Sequence, residues 1–369
     1  MQLLLDAPEL QQPTPPAPTD APAAPDLRTY DLIVINSSAG KDSMAMLAYV
    51  ADQITTHGYT GQVVVFHNDL GVTDSGEPIE WPGVEALARE HAQRYGFRIE
   101  ILRRAKGGLW RQLLGERLRF MGERTRWCTA DQKTGVGMKH VTRIVNEIRA
   151  HQGIADRPVR VLYCLGLRAE ESTGRSKQPV LAEDTARSSR VRTITRWLPI
   201  HGWTIKQVWD QIKTAGLRPH AAYSWGMGRL SCSLCILASV DDLMLAGALR
   251  PRLLDDYLRA EYKLGHRFTF TLSIAQIRAA LDVARMELDG EDTAEEVAFL
   301  HRITREIVAE QNDLRTGTYA RTGLPKRWSD EQVEERTRAR VDQLVTSARR
   351  AIDLAAAATS TDSTHLPMQ

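Results

Sequence analysis

The chain has 369 residues, 43% hydrophobic and 25% charged, with a formal net charge of +2. That is enough to bury one large core plus an appendage, and the near balance of charge names no partner class by itself. No run of 18 apolar residues marks a membrane span, and no basic stretch followed by an apolar one marks a signal peptide, so the expectation is a cytoplasmic protein with no membrane partner. The 4 cysteines are too few for a disulfide framework in a chain this long and point to reduced thiols or metal ligands.

In chain order, residues 1–28 are rich in proline and alanine and predict a disordered arm. Residues 31–37 (Asp31-Leu32-Ile33-Val34-Ile35-Asn36-Ser37) have strand composition, and residues 44–50 read as the helix that follows. Further strands are predicted over 62–67, 97–102 and 159–165, and helices over 84–95, 133–149 and 204–214. This alternation, spanning residues 29–240, predicts an α/β fold with a doubly wound parallel sheet and its site at the carboxyl ends of the strands. Residues 241–350 predict an all-helical module, and residues 351–369 a disordered tail.

Between the first strand and helix stands Ser38-Ala39-Gly40-Lys41-Asp42-Ser43. A small-residue turn into a helix N-terminus offers free N–H groups and the positive end of the helix dipole to an anion. Gly40 and Ala39 permit close approach, Lys41 adds a charge, and Ser38 and Ser43 add hydroxyls. Asp42 stands where a Walker loop requires Ser or Thr, so this is another kind of phosphate loop. It resembles the Ser-Gly-Gly-x-Asp-Ser pyrophosphatase (PP) loop of the adenine-nucleotide α-hydrolase superfamily. Ala39 replaces a glycine of that pattern, and alanine disfavours positive φ.

Later motifs resemble one branch, the phosphoadenosine phosphosulfate (PAPS) reductase-like family. His67-Asn68-Asp69-Leu70-Gly71 is similar to its Asp-Thr-Gly strand end. Gly166-Leu167-Arg168-Ala169-Glu170-Glu171-Ser172-Thr173-Gly174-Arg175 is similar to its Gly-x-Arg-x-(Asp/Glu)-Glu-Ser-x-x-Arg. Pro199-Ile200-His201-Gly202-Trp203-Thr204 is similar to its Pro-Ile-x-x-Trp-Thr segment. Arg126-Trp127-Cys128-Thr129 with Lys133, and Cys232-Ser233-Leu234-Cys235, are similar to its cysteine motifs. The resemblance implies ATP with Mg²⁺, or a sulfonucleotide, held by Ser38, Ala39, Gly40, Lys41, Asp42, Ser43, Asp69, Gly166, Arg168 and Glu171. Lys41, Asp42, Arg168, Arg175 and Cys128 are the expected catalytic residues.

Thiolates at Cys128, Cys232 and Cys235 suit a [4Fe-4S] cluster, with zinc (His220 as fourth ligand) and redox-active thiols as alternatives. Cys164, inside a predicted strand, reads as a small buried hydrophobe. Members with an intact Gly-Lys-Asp-Ser cleave ATP, and they include sulfur-insertion enzymes and the ATP-dependent component of DNA phosphorothioation systems. The expectation is therefore an ATP pyrophosphatase and sulfurtransferase supplied by a cysteine desulfurase. Two basic stretches, Arg103 to Arg126 and Arg187 to Arg196, suit a DNA or RNA acceptor held by its backbone. A sulfonucleotide reductase releasing sulfite and a non-catalytic nucleotide-binding subunit are the alternatives. The absence of any cysteine beyond Cys235 weighs against the reductase.

Overall fold

The computed structural model describes residues 24–122, 125–317 and 327–362. Most of the arm predicted over 1–28, the end of the tail predicted over 351–369, and Arg124 of the first basic stretch lie outside them.

The sheet grows from strands whose residues are apolar on both faces. In β1 (Leu32–Asn36), Leu32 and Val34 point to one side and Ile33 and Ile35 to the other, and all four are buried. A strand covered on both faces reads as a continuous apolar run, as this one does. β2 (Gln62–Asn68), β3 (Arg98–Leu102), β4 (Val159–Cys164), β5 (Leu181–Glu183) and β6 (Arg192–Trp197) complete a six-stranded sheet in the order β3-β2-β1-β4-β6-β5. All neighbours pair in parallel except β5 with β6.

Helices α1 (Lys41–Thr56), α2 (Val84–Arg94) and α6 (Ile205–Thr214) cover one face, where Met44, Leu47, Ala92 and Val208 meet Ile33, Ile35 and Trp197. Helix α4 (Gly135–Gln152) covers the other, packing Val141, Ile144, Val145 and Ile148 on Leu32, Val34 and Phe66. The short helices α3 (Leu109–Gln112) and α5 (Thr173–Ser176) lie in the connections after β3 and β4. β1 lies between β2 and β4, so the chain leaves β1 on one side and returns on the other. A crevice opens there at the strands' carboxyl ends.

Helices α7 (Val240–Leu249), α8 (Pro251–Leu264), α9 (Ile274–Asp289), α10 (Ala294–Gly317) and α11 (Asp330–Asp362) form the expected helical module. Its core does not stop at the module. Leu70, Ile79, Trp81, Trp110, Phe120 and Trp127, from the loops after β2 and β3, are buried in the same apolar cluster as Leu243, Leu254, Tyr257, Phe268 and Leu281.

Two boundaries differ from expectation. Leu27, within the predicted arm, is fully buried against the α1 face of the sheet, and Asp26 caps the short turn that carries it. At the other end α11 continues through Asp362, with Ala351 and Ala358 buried. The alanine-rich run at Ala355, read as tail, is strong helix-forming sequence that has a surface to pack on. No helix of the described residues is long and apolar enough to cross a membrane.

Candidate functional site

The phosphate loop sits where β1 hands over to α1. Ala39 is buried at φ 53°, the left-handed conformation its sequence disfavours, at a cost of roughly 1–2 kcal/mol. Gly40 is the N-cap of α1. A Cβ there would stand 3.1 Å from Leu230 O. The loop's own hydroxyls satisfy its N–H groups. Ala39 N–H donates to Ser37 Oγ (3.2 Å), Ser38 N–H to Ser43 Oγ (3.2 Å) and Gly40 N–H to Ser38 Oγ (3.4 Å). Lys41 N–H donates to the phenol oxygen of Tyr223 at 2.8 Å.

Lys41 is 7% exposed; its Nζ donates to Gly228 O at 3.0 Å and stands 3.5 Å from Asp42 Oδ2. The motif after β4 closes over this loop. Gly166 presses on the first turn of α1, so that a Cβ would meet Asp42 O at 3.0 Å and Ser43 N at 3.2 Å. Arg168 reaches across, with Nε on Asp42 Oδ1 (2.5 Å) and Nη1 on Glu170 Oε2 (2.6 Å). Glu171 Oε2 accepts from Arg168 N–H at 3.0 Å and pairs with Arg175. Arg168 is thus a buried cross-link between the two loops.

Residues 37, 38 and 40–43, with Gly166, Arg168, Glu171 and Arg175, line a cavity of about 640 Å³, together with Asn68, Glu80, Lys133, Tyr163, Arg187, Arg196 and Arg229. Within it Asn68 Oδ1, Gln178 Oε1 and Arg196 Nε are buried with no hydrogen-bond partner among the described residues. These polar atoms are available to a ligand, since buried polar groups ordinarily find one.

Ser38, Gly40, Lys41, Asp42, Ser43, Gly166, Arg168, Glu171 and Arg175 therefore come together as expected, while buried Ala39 shapes the turn. Asp69 does not join them. Its carboxylate accepts from Gly71 N–H (2.7 Å) and from Arg103 Nε (2.5 Å), caps its own loop, and is not among the lining residues. Asn68 and Glu80 hold that side instead. Glu80 carries no motif in the sequence. Burial pushes its carboxyl up to about 7, against the pull of Lys133.

Cys128, Cys232 and Cys235 gather beside this cavity. Cys128 opens a π-helical turn (Cys128–Thr134) whose Thr129, Lys133 and Thr134 line it. Such turns recur at functional sites. Cys232 bridges Glu80 through the backbone, and Ser233 N–H donates to Ile79 O at 3.0 Å. Arg250, at the start of α8, holds the turn from behind, donating to Ser233 Oγ (2.6 Å), Glu80 O (2.9 Å) and Glu77 Oε2 (3.0 Å). Burial pushes the Cys128 and Cys232 thiols up, while Lys133 pulls them down. Burial would depress Lys133, but Cys232, Glu80 and the other two thiols hold its amine above the usual lysine range. Cys164 is fully buried in β4, and burial pushes its thiol up.

The metal expectation does not fit this arrangement. Among the described residues no group of three or more His, Cys, Asp or Glu stands where it could hold a metal ion. His220 is also spoken for, with Nε2 2.9 Å from Pro82 O and Nδ1 accepting from Ala222 N–H at 3.0 Å.

The basic stretches are partly consumed within the fold. Arg103, Arg104 and Arg117 pair with Asp69, Glu116 and Asp131. In the second stretch Arg187 pairs with Asp184, and Arg192 and Arg196 belong to β6.

A family model described as the phosphoadenosine phosphosulfate reductase domain matches residues 32–238. A curated relative, the uncharacterized 37.8 kDa protein in the gpa 5′ region of Escherichia phage 186, is 26% identical over 177 residues, which are 44% of this chain and 47% of the relative. The match thus spans about half the relative's length. Among solved structures, a phosphate complex of phosphoadenylyl-sulfate reductase from Candida auris is 16% identical over 54% of this chain and 80% of its own, with TM-score 0.33. The FMN adenylyltransferase of Candida glabrata is 12% identical over 55% and 53%, with TM-score 0.36.

Proposed function

Since the chain belongs to the phosphoadenosine phosphosulfate reductase domain family over residues 32–238, we propose that it cleaves ATP at the α-phosphorus and transfers sulfur to an adenylylated acceptor. The observation that carries this reading is the closure of Gly166, Arg168 and Glu171 over Lys41 and Asp42, at the mouth of a 640 Å³ cavity. The 38–43 loop holds the β- and γ-phosphates, and Mg²⁺ arrives with the nucleotide, bound chiefly by phosphate oxygens. An acceptor oxygen attacks the α-phosphorus and pyrophosphate leaves. Lys41 and Arg175 face the developing charge, and Arg168 fixes Asp42 and the loop in register, so catalysis is positioning and charge stabilisation. The outer sulfur of a persulfide on one of Cys128, Cys232 and Cys235 then attacks the acceptor phosphorus and displaces AMP. A second of these thiols attacks the carrier sulfur, freeing the sulfurated acceptor and leaving a disulfide that a dithiol reductant reopens. The sulfur donor is a cysteine desulfurase, and the acceptor a DNA or RNA phosphate.

The same cavity suits a sulfonucleotide, and the adjacent thiols favour a second reading in which one of them attacks its sulfur and displaces the nucleotide. A second thiol then attacks the resulting thiosulfonate to release sulfite and leave a disulfide. Mg²⁺-dependent release of pyrophosphate from ATP tests the first reading. Release of ADP and inorganic phosphate instead would contradict cleavage at the α-phosphorus.

A further inference from the structure

The phosphate loop and the thiol turn are joined by one continuous piece of chain, residues 223–235. At its start, Tyr223 Oη accepts from Lys41 N–H at 2.8 Å, and its ring packs edge-on against Trp209 with centroids 5.1 Å apart. In the middle, Gly228 O accepts from Lys41 Nζ at 3.0 Å, and Gly228 N–H donates to Asp242 Oδ1 in the first turn of α7 at 2.7 Å. Arg229, Leu230 and Ser231 then line the cavity. Cys232 follows at once, and Ser233 is fixed from behind by Ile79 O and Arg250.

Lys41 N–H belongs to the first residue of α1, one of the donors that a helix N-terminus offers an anion. An amide has a single proton to give, so a phosphate oxygen seated on this N–H must take it from the phenol of Tyr223. Lys41 Nζ, by contrast, has three protons and can serve a phosphate while keeping Gly228. Entry of phosphate therefore loosens the strap at its Tyr223 end and draws on its middle, while Ser233 stays fixed. Cys232, whose backbone bridges Glu80, is the first residue of the fixed part and stands directly against the moving one.

We propose that Tyr223 is a positioning residue that occupies a phosphate-oxygen site of the loop, and that residues 223–235 couple occupancy of that site to exposure of the Cys232 thiol. The proposal rests on the reading that the 38–43 loop holds a nucleotide's phosphates. Its consequence is an order of events: the thiol turn opens only once the loop is filled, so the thiol centre and the nucleotide act in sequence.

The test uses the full chain, reduced, with inorganic pyrophosphate and Mg²⁺ as the probe. Binding is measured by calorimetry, and the alkylation rate of each cysteine by mass spectrometry, with Cys164, buried in β4, as the internal reference. Pyrophosphate is expected to raise the Cys232 rate about threefold or more and to leave Cys164 unchanged. In Tyr223→Phe the Lys41 N–H is vacated, so pyrophosphate binds about 2–10-fold more tightly, the range set by one neutral hydrogen bond. The Cys232 rate is then already high without ligand and no longer responds to it. Binding with an unchanged Cys232 rate in the wild-type chain would overturn the coupling and leave the nucleotide reading standing. Absence of pyrophosphate binding would overturn both.

Discussion

The phosphate corner and the thiol corner are built in opposite ways. The phosphate corner comes from two short loops at neighbouring strand ends, and hydroxyls, a phenol and one buried arginine complete its internal bonding. The thiol corner draws Cys128, Glu80 and the Cys232 turn from three distant stretches, and it rests on the apolar core of the helical module. The first is therefore mainly a local device, tied to distant chain only through the Tyr223 phenol and Gly228 O, which hold Lys41. The second exists only because the module binds the loops after β2 and β3 into its own core. A chain that retained its sheet but lost the module would keep a phosphate site and lose the thiol arrangement.

The largest effect on this comparison should come from Lys41→Ala, which removes the buried amine of the phosphate corner. Pyrophosphate release should fall by about 100-fold or more, as on loss of a positioned charge-stabilising donor, while the thermal midpoint moves little. Cys128→Ser should separate the corners, abolishing sulfur transfer but sparing pyrophosphate release; loss of both would show that they do not divide the labour. Gly166→Ala places a methyl 3.0 Å from Asp42 O, and overpacking of this kind costs about 1–3 kcal/mol. Denaturant unfolding should show that loss together with weakened nucleotide binding.

A smaller effect tests the thiol side through pH. Burial raises the folded-state Glu80 pKa from 4.5 to about 7. Below 4.5 the carboxyl is protonated in both the folded and unfolded states. Between 4.5 and 7 only the unfolded state ionises, so the wild type loses stability across that window and no further above it. Glu80→Gln should lack this loss, its advantage over wild type growing from pH 4.5 to 7 and then levelling. A constant difference across that range would contradict the assignment. The smallest effect belongs to Ala39→Gly. Relief of the left-handed strain, about 1–2 kcal/mol, is offset by loss of a buried methyl worth about 0.8 kcal/mol, so unfolding should shift by no more than about 1 kcal/mol.

How much was legible follows the same division. The strand runs, the 38–43 loop and the Gly166 to Arg175 motif could be read because each is a contiguous pattern with a local physical cause. Asp69 is expected as a ligand because its segment resembles the family's Asp-Thr-Gly strand end, but an aspartate two residues before a glycine can satisfy that glycine's N–H instead, as it does here. Glu80, Tyr223 and Arg250 were missed because nothing around them is periodic, and only the fold brings them to the site. β6 was hidden by its arginines, although Thr193, Ile194, Thr195 and Trp197 carry strand propensity. The helix beyond residue 350 was missed for a related reason, since an alanine run reads as tail until a packing surface such as that of α7 and α9 is known.

The central claim is that the phosphate corner cleaves ATP at its α-phosphorus while the thiols serve a later step. The most direct measurement, on anaerobically purified protein, sets Mg²⁺-dependent pyrophosphate release from ATP beside sulfite release from adenylyl sulfate and its 3′-phosphate. The account predicts pyrophosphate without sulfite. Sulfite without pyrophosphate would contradict it and make the chain a sulfonucleotide reductase working through one of the thiols beside the cavity.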